Sequence, residues 1–201
     1  MIQDQCYVLG CGPSLSKIDN LILDSLPTFG SNRIFKKYIP DYYACINPVE
    51  ANKYPVEIEV MDCKYKFVTD KVPVPGCTPL HSTTQVDFSI NPFWAVQEGY
   101  SVTFVLLQLA FFYGFREVFL LGVDHRYVQP CKPNEEITWT GRDPNHFADD
   151  YVKPGERWNG ADLEKSEYYF QIAKKIFDSN GRKIINLTEG SALDVFERGV
   201  L

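Results

Sequence analysis

The sequence predicts an α/β protein: a single doubly wound, mostly parallel Rossmann-like sheet with a lid segment. Three observations point there. Segments with strand and helix patterns alternate along the chain, as β-α-β units of a parallel sheet do. A glycine turn, Gly10-Cys11-Gly12-Pro13, directly follows the first strand-like run. The stretch Glu117 to Val123 is apolar at nearly every position, as a strand covered on both faces must be.

Taken in order, Gln5 to Leu9 reads as the first strand. Ser14 is placed to cap a short helix carrying Leu21, Leu23 and Leu26 and ending at Pro27. Thr28 to Ser31 reads as a second strand, and Asp41 to Ile46 as a third that closes at the turn Asn47-Pro48. Tyr65 to Thr69 is a fourth, followed by a stretch from Val72 to Pro92 punctuated by Pro and Gly. A core helix spans about Ser101 to Tyr113 and stops at Gly114. The uncharged run around it, Gly99 to Phe115, falls short of the ~20 residues of a membrane span and carries Gln108 at its middle. Asp124 to Gly160 is polar and aperiodic, too long for a plain connector, and reads as a lid-like insertion at about 125–160. Tyr169, Ile172, Ala173, Ile176 and Phe177 have helical spacing; Asn180-Gly181 ends that helix, and Lys183 to Leu187 is the last strand.

The chain has 201 residues, which suits one domain over residues 1–201. Apolar residues at 45% and charged residues at 23% exclude a disordered chain, collagen or a coiled coil. Twenty Lys and Arg against 26 Asp and Glu, a formal charge of −6, exclude a basic field that would draw the molecule onto nucleic acid or an anionic membrane. The six cysteines form no C-x-x-C pair, and Met1 leads into Gln3-Asp4-Gln5 without the basic and apolar regions of a secretory signal. Reduced thiols, a cytoplasmic location and no transmembrane segment are therefore expected. Pro92-Phe93-Trp94 reads either as ordinary buried aromatics or as an exposed acceptor or subunit surface, should the chain form a homo-oligomer.

Several groups have the chemistry of a site. The turn Gly10, Cys11, Gly12, Pro13, Ser14 lets backbone N–H groups approach an anion, so a nucleotide phosphate is expected there. The third glycine of the dinucleotide fingerprint is missing and no Gly-Lys-Ser/Thr follows, so glycines that merely turn the chain are the competing reading. Asn32 and Asn47 end the second and third strands, where their amides either meet a base or ribose or serve as turn residues. Ser101 opens the core helix, as a cap or as part of a phosphate site. Asp124-His125-Arg126-Tyr127 follows the best strand, where α/β enzymes present functional groups. In Asp143 to Asp150, His146 can exchange a proton near neutral pH with carboxylates nearby to orient it; a surface histidine in an acidic loop is the alternative. No zinc or EF-hand spacing is present, so no metal site is expected.

The order of Val8 to Leu15, Asn32, Asn47-Pro48, Tyr113-Gly114-Phe115, Val118 to Asp124 and Asp143 to Phe147 resembles that of bacterial sialyltransferases that decorate lipooligosaccharide. The chain is also similar to the wider group related to 6-hydroxymethylpterin diphosphokinase, through the glycine turn and the Leu-Gly-Val-Asp strand end. The resemblance implies a CMP-activated sugar donor, possible sialic-acid-like chemistry, a carbohydrate acceptor and no obligatory cofactor. It assigns nucleotide binding to Gly10, Cys11, Gly12, Pro13, Ser14, Asn32, Asn47 and Ser101, leaving-group stabilisation to Tyr127, and the role of general base to His146. The nucleotide site is expected to include Asp124 as well. Cys11 stands where the family usually has Asn, and Arg126, Lys132 and Arg142 are further candidates for the leaving phosphate. The alternatives are a diphosphokinase-like transferase, whose Asp124 or lid aspartates would hold Mg²⁺, and a nucleotide-binding protein without turnover.

Overall fold

The computed structural model describes residues 4–201. Met1, Ile2 and Gln3, on which the reading of the chain's start depends, lie outside the described residues. Among the described residues the strands are, in chain order, β1 (Gln5–Leu9), β2 (Thr28–Ser31), β3 (Tyr42–Cys45), β4 (Tyr65–Thr69), β5 (Thr78–Leu80), β6 (Glu117–Leu121), β7 (Glu136–Thr138), β8 (Arg157–Asn159), β9 (Lys183–Asn186) and β10 (Glu197–Arg198). The helices are α1 (Asn20–Leu23), α2 (Pro48–Lys53), α3 (Pro55–Val60), α4 (Val102–Phe112) and α5 (Leu163–Ser179), with 3-10 turns at Pro13–Lys17 and Ile34–Lys36.

Eight strands form one sheet in the order β10-β9-β6-β1-β2-β3-β4-β5. Every neighbouring pair in it is parallel. The chain runs outward from β1 to β5, then returns through α4 to the other side of β1 and continues outward. This is the doubly wound Rossmann-like architecture that the alternating pattern predicts. Its strand order reverses between β1 and β6, and beyond the carboxyl ends of such a pair the helices on opposite faces leave a crevice.

The strand period of two sorts β1 between two cores. Cys6 and Val8 point to the α4 and α5 side with Phe104, Leu107 and Phe177. Tyr7 and Leu9 point to the opposite side, toward Leu15, Leu23 and Ile58. Helix α4 is buried along nearly its whole length, as its uniformly apolar sequence requires. Its Gln108 is fully buried and pins a loop: Oε1 accepts the N–H groups of Ser89 (2.8 Å) and Gln97 (3.1 Å), while Nε2 donates to the Gln97 carbonyl (2.7 Å).

Three local expectations are corrected. Ser14 does not cap the first helix; Asp19 does, accepting Leu21 N–H at 2.9 Å, because a separate 3-10 turn intervenes. Asn47-Pro48 is not a terminating turn but the start of α2, with Pro48 at a position whose N–H a helix leaves unpaired anyway. Ser101 occupies the N-cap position of α4, yet its side chain makes no capping bond. The strands β5 and β10 and the helix α3 went unread: strands of three and two residues show no alternation, and a six-residue helix is too short to show a helical period.

The segment 125–160 holds the antiparallel ribbon β7–β8, with Ile137 opposite Trp158. Trp139, Tyr151 and Val152 build a small core of its own, packed with Cys11, Phe147 and Trp158. Phe147 N–H donates to the Cys11 carbonyl at 3.0 Å, so the segment is seated on the glycine turn. All six cysteines are free. Among the described residues no helix is long and apolar enough to cross a membrane.

Candidate functional site

A cleft of about 520 Å³ opens beyond the carboxyl ends of β1 and β6, at the reversal of strand order. Of the residues singled out from the sequence, Gly10, Cys11, Gly12, Asn32, Asn47, Ser101, Asp124, Tyr127 and His146 line it. Pro13 and Ser14 do not: Pro13 begins the 3-10 turn, and Ser14 faces back onto Asp124.

The glycine turn differs from the anion cradle expected of it. Gly10 N–H donates to the Leu121 carbonyl (2.8 Å) and Gly12 N–H to the Gly122 carbonyl (2.9 Å). Ser14 donates both its N–H (3.2 Å) and its hydroxyl (2.7 Å) to the Asp124 carboxylate. Of these donors only Cys11 N–H remains without a partner among the described residues. The glycines are required for a different reason: a Cβ at position 10 would strike the Gly122 carbonyl, and one at position 12 the Asp124 carboxylate. Burial pushes the Cys11 thiol up to about 12, so it is no nucleophile at neutral pH.

Free donors occur instead at the start of α4. The N–H groups of Val102 and Thr103 have no partner among the described residues, nor do the hydroxyls of Ser101 and Thr103, and Thr103 is only 7% exposed. These groups line the cleft at the positive end of an 11-residue helix. Asn47 Oδ1 is committed to capping α2 through Val49 N–H at 2.9 Å, which leaves its Nδ2 as donor. Asn32 Oδ1 is buried without a partner, an unsatisfied acceptor on the cleft wall.

His146 sits in the segment between β7 and β8. Its Nδ1 meets Asp143 Oδ2 at 2.7 Å, so an Nδ1–H directed to that carboxylate leaves Nε2 bare in the neutral ring. Nε2 has no partner among the described residues. Burial favours the neutral form of Asp143, but the His146 contact and the N–H groups of Asn145 (2.8 Å) and Val152 (3.1 Å) outweigh it and hold the carboxyl below its ordinary range. The imidazole stacks on the Tyr151 ring at 4.0 Å and 3° and meets the Trp158 ring at 5.5 Å. Asn145 clasps Val128 through both its N–H (2.7 Å) and its carbonyl (3.0 Å), tying this loop to the strand-end segment that carries Tyr127.

Tyr127 is 38% exposed on the cleft wall. Desolvation there, with the Asp124 and Asp143 charges, pushes its hydroxyl up to about 12, so it stays protonated as a donor. His125 also lines the cleft, but its Nε2 is engaged with Glu167 at 3.1 Å, and burial lowers its pKa against the opposing effect of that carboxylate. Among the described residues, no group of three or more His, Cys, Asp or Glu is arranged to hold a metal ion.

Among the described residues, the non-glycine residues with left-handed backbone are Asn32, Tyr100, His125 and Asn134, and all of them line this cleft. For Tyr100 and His125 that conformation costs of order 1–3 kcal/mol each, strain that concentrates where a site is assembled. Sequence reasoning missed Tyr100, Arg33, Tyr151 and Trp158. Their roles depend on contacts across the fold, and the one local clue was the Asp143–His146 spacing of three within a polar loop.

Fold and cleft together define the class: a doubly wound α/β protein with a Rossmann-like sheet and a candidate site at its strand-order reversal. No protein-family model, curated protein or solved structure matches the chain.

Proposed function

We propose that the chain is a glycosyltransferase-like enzyme that transfers a sugar from a CMP-activated donor to an acceptor hydroxyl. The observation that carries this reading is the Asp143–His146 pair, with Nε2 free on the wall of the strand-end cleft. In the proposed reaction Nε2 takes the acceptor's hydroxyl proton while that oxygen bonds to the anomeric carbon, and the bond from that carbon to the nucleotide phosphate breaks. Asp143 holds the ring and stabilises the imidazolium. The negative charge of the departing phosphate is met by the Tyr127 hydroxyl and by the free donors at the start of α4, Ser101 and Thr103 among them. Asn32 and Asn47 face the nucleoside. The CMP identity and the sugar come from the resemblance to the lipooligosaccharide sialyltransferases; the cleft chemistry supports a nucleotide more generally.

A thermal-shift panel of CMP, CDP, GDP, GTP, UDP and NAD, each with and without Mg²⁺, tests the reading. A ligand at about 100 times its dissociation constant stabilises by about 2.7 kcal/mol, which raises Tm by about 5–11 °C in a chain of this size. A shift with CMP or CDP that needs no metal is the expected result. A shift with GTP only when Mg²⁺ is present replaces the reading with the diphosphokinase-like one. No shift with any nucleotide overturns both.

A further inference from the structure

We propose that Arg33 and Tyr151 form a positioning stack that sets the plane of the His146 imidazole, an inference that rests on the reading of His146 as the base. Arg33 follows β2 and is 1% exposed. Its Nε and Nη2 donate to the Glu50 carboxylate at 2.7 and 2.8 Å, and Nη1 meets Glu156 at 2.9 Å. Lys53 joins Glu156 at 2.5 Å, so a carboxylate from α2 holds the guanidinium in a hydrogen-bonded fork, and a second, from just before β8, faces it as an ion pair without hydrogen-bond geometry. That guanidinium lies 5.2 Å from the centre of the Tyr151 ring and 4.9 Å from that of Tyr54. Tyr151 in turn stacks on His146 at 4.0 Å with planes 3° apart, while its hydroxyl accepts Arg33 N–H at 3.3 Å.

Asp143 holds His146 through Nδ1 at one edge and the Trp158 ring meets it at 5.5 Å, contacts that still leave the imidazole freedom to rock about the Nδ1 bond. The Tyr151 face removes that freedom, and Arg33 removes the freedom of Tyr151. A guanidinium suits the task because it is planar, always charged and able to hold two carboxylates at once; an ammonium is a point charge that cannot form the same fork. A buried charge network of this kind adds little net stability, which fits a role in fixing one geometry. Asn32, the neighbour of Arg33, lines the cleft with its Oδ1 buried and unpaired, so the end of β2 supplies both a cleft wall and the support of His146.

The test uses NMR of protein with labelled histidine, in wild type and in the variants Arg33→Lys and Glu156→Gln. The ring current of Tyr151 displaces the His146 ring protons upfield in wild type. Arg33→Lys is expected to abolish that displacement and Glu156→Gln to reduce it, with kcat falling by about 10²-fold in the former, the scale of an approximately 1 Å misplacement, at unchanged nucleotide affinity. His146 shifts identical to wild type in both variants overturn the proposal. If Arg33→Lys does not fold, Glu156→Gln decides by itself. A wild-type protein that transfers no sugar refutes the base reading, while the NMR comparison still decides the stack.

Discussion

The Asp124 carboxylate accepts the N–H and the hydroxyl of Ser14 at 3.2 and 2.7 Å, so the protein's own charge fills the mouth of its glycine turn. The turn thereby joins the ends of β1 and β6, and its glycines are needed to let them approach. Gly12→Ala forces a Cβ against that carboxylate and the Gly122 carbonyl. The expected cost is about 1–3 kcal/mol, seen as a Tm lowered by about 2–12 °C. A Tm within 1 °C of wild type by roughly matched calorimetric scans contradicts the close approach.

His146→Ala should lower sugar transfer by about 10²–10⁴ while leaving nucleotide affinity nearly unchanged. His125→Ala should do much less, since His125 is turned onto Glu167. Steady-state kinetics with donor and acceptor varied separately check this, and near wild-type transfer in His146→Ala removes it from the mechanism.

Gln108→Leu strips three buried backbone groups of their partner, the N–H groups of Ser89 and Gln97 and the Gln97 carbonyl. Each such loss costs about 1–3 kcal/mol before relaxation, so urea denaturation should show a loss of several kcal/mol despite the more apolar side chain. Equal or greater stability in the variant would mean that the loop finds other partners.

Stability should decline as pH falls below about 6.5, and His125 should account for part of that slope. Its pKa is lowered on folding, so its contribution is complete above the unfolded value and is lost as pH drops toward the folded one, where the native state must also protonate. Comparing Tm at pH 7.5 and pH 5.5 in wild type and in His125→Asn, which tolerates the left-handed backbone, isolates it. An unchanged pH difference in the variant argues against a buried neutral imidazole.

Hydrogen exchange in residues 125–160 should slow when nucleotide binds. The segment contributes Tyr127, Asn145, His146 and Trp158 to the cleft wall, and its own core is small, with Trp139, Tyr151 and Val152 at its centre. Protection that is equally strong with and without nucleotide would mark it as a fixed element.

Most of the sheet was legible in the sequence because apolar alternation and uninterrupted apolar runs are local signals. Gln5 to Leu9, Glu117 to Val123 and the helix around Gln108 follow from local apolar runs and the turn residues that bound them, and their alternation implies a parallel sheet with a crevice at the strand ends. The residue types of the cleft were legible too, for the same reason: Asn32, Asp124, Tyr127 and His146 all fall just past strand ends or in the long polar segment.

What the tertiary structure decided is which of those groups remain free. Ser14 and Asp124 are 110 residues apart in sequence; their pairing, with the Gly10 and Gly12 N–H groups bonded to the Leu121 and Gly122 carbonyls, leaves the turn only the Cys11 N–H free among the described residues, while the uncapped start of α4 adds its own donors. Arg33 and Glu156 are as remote, and their buried ion pair lies beside the Tyr151 ring that stacks on His146. Periodicity and turn chemistry report where the chain bends and which face is apolar. Hydrogen-bond capacity is spent by whatever partner the fold brings within about 3 Å, and only the assembled sheet specifies that partner.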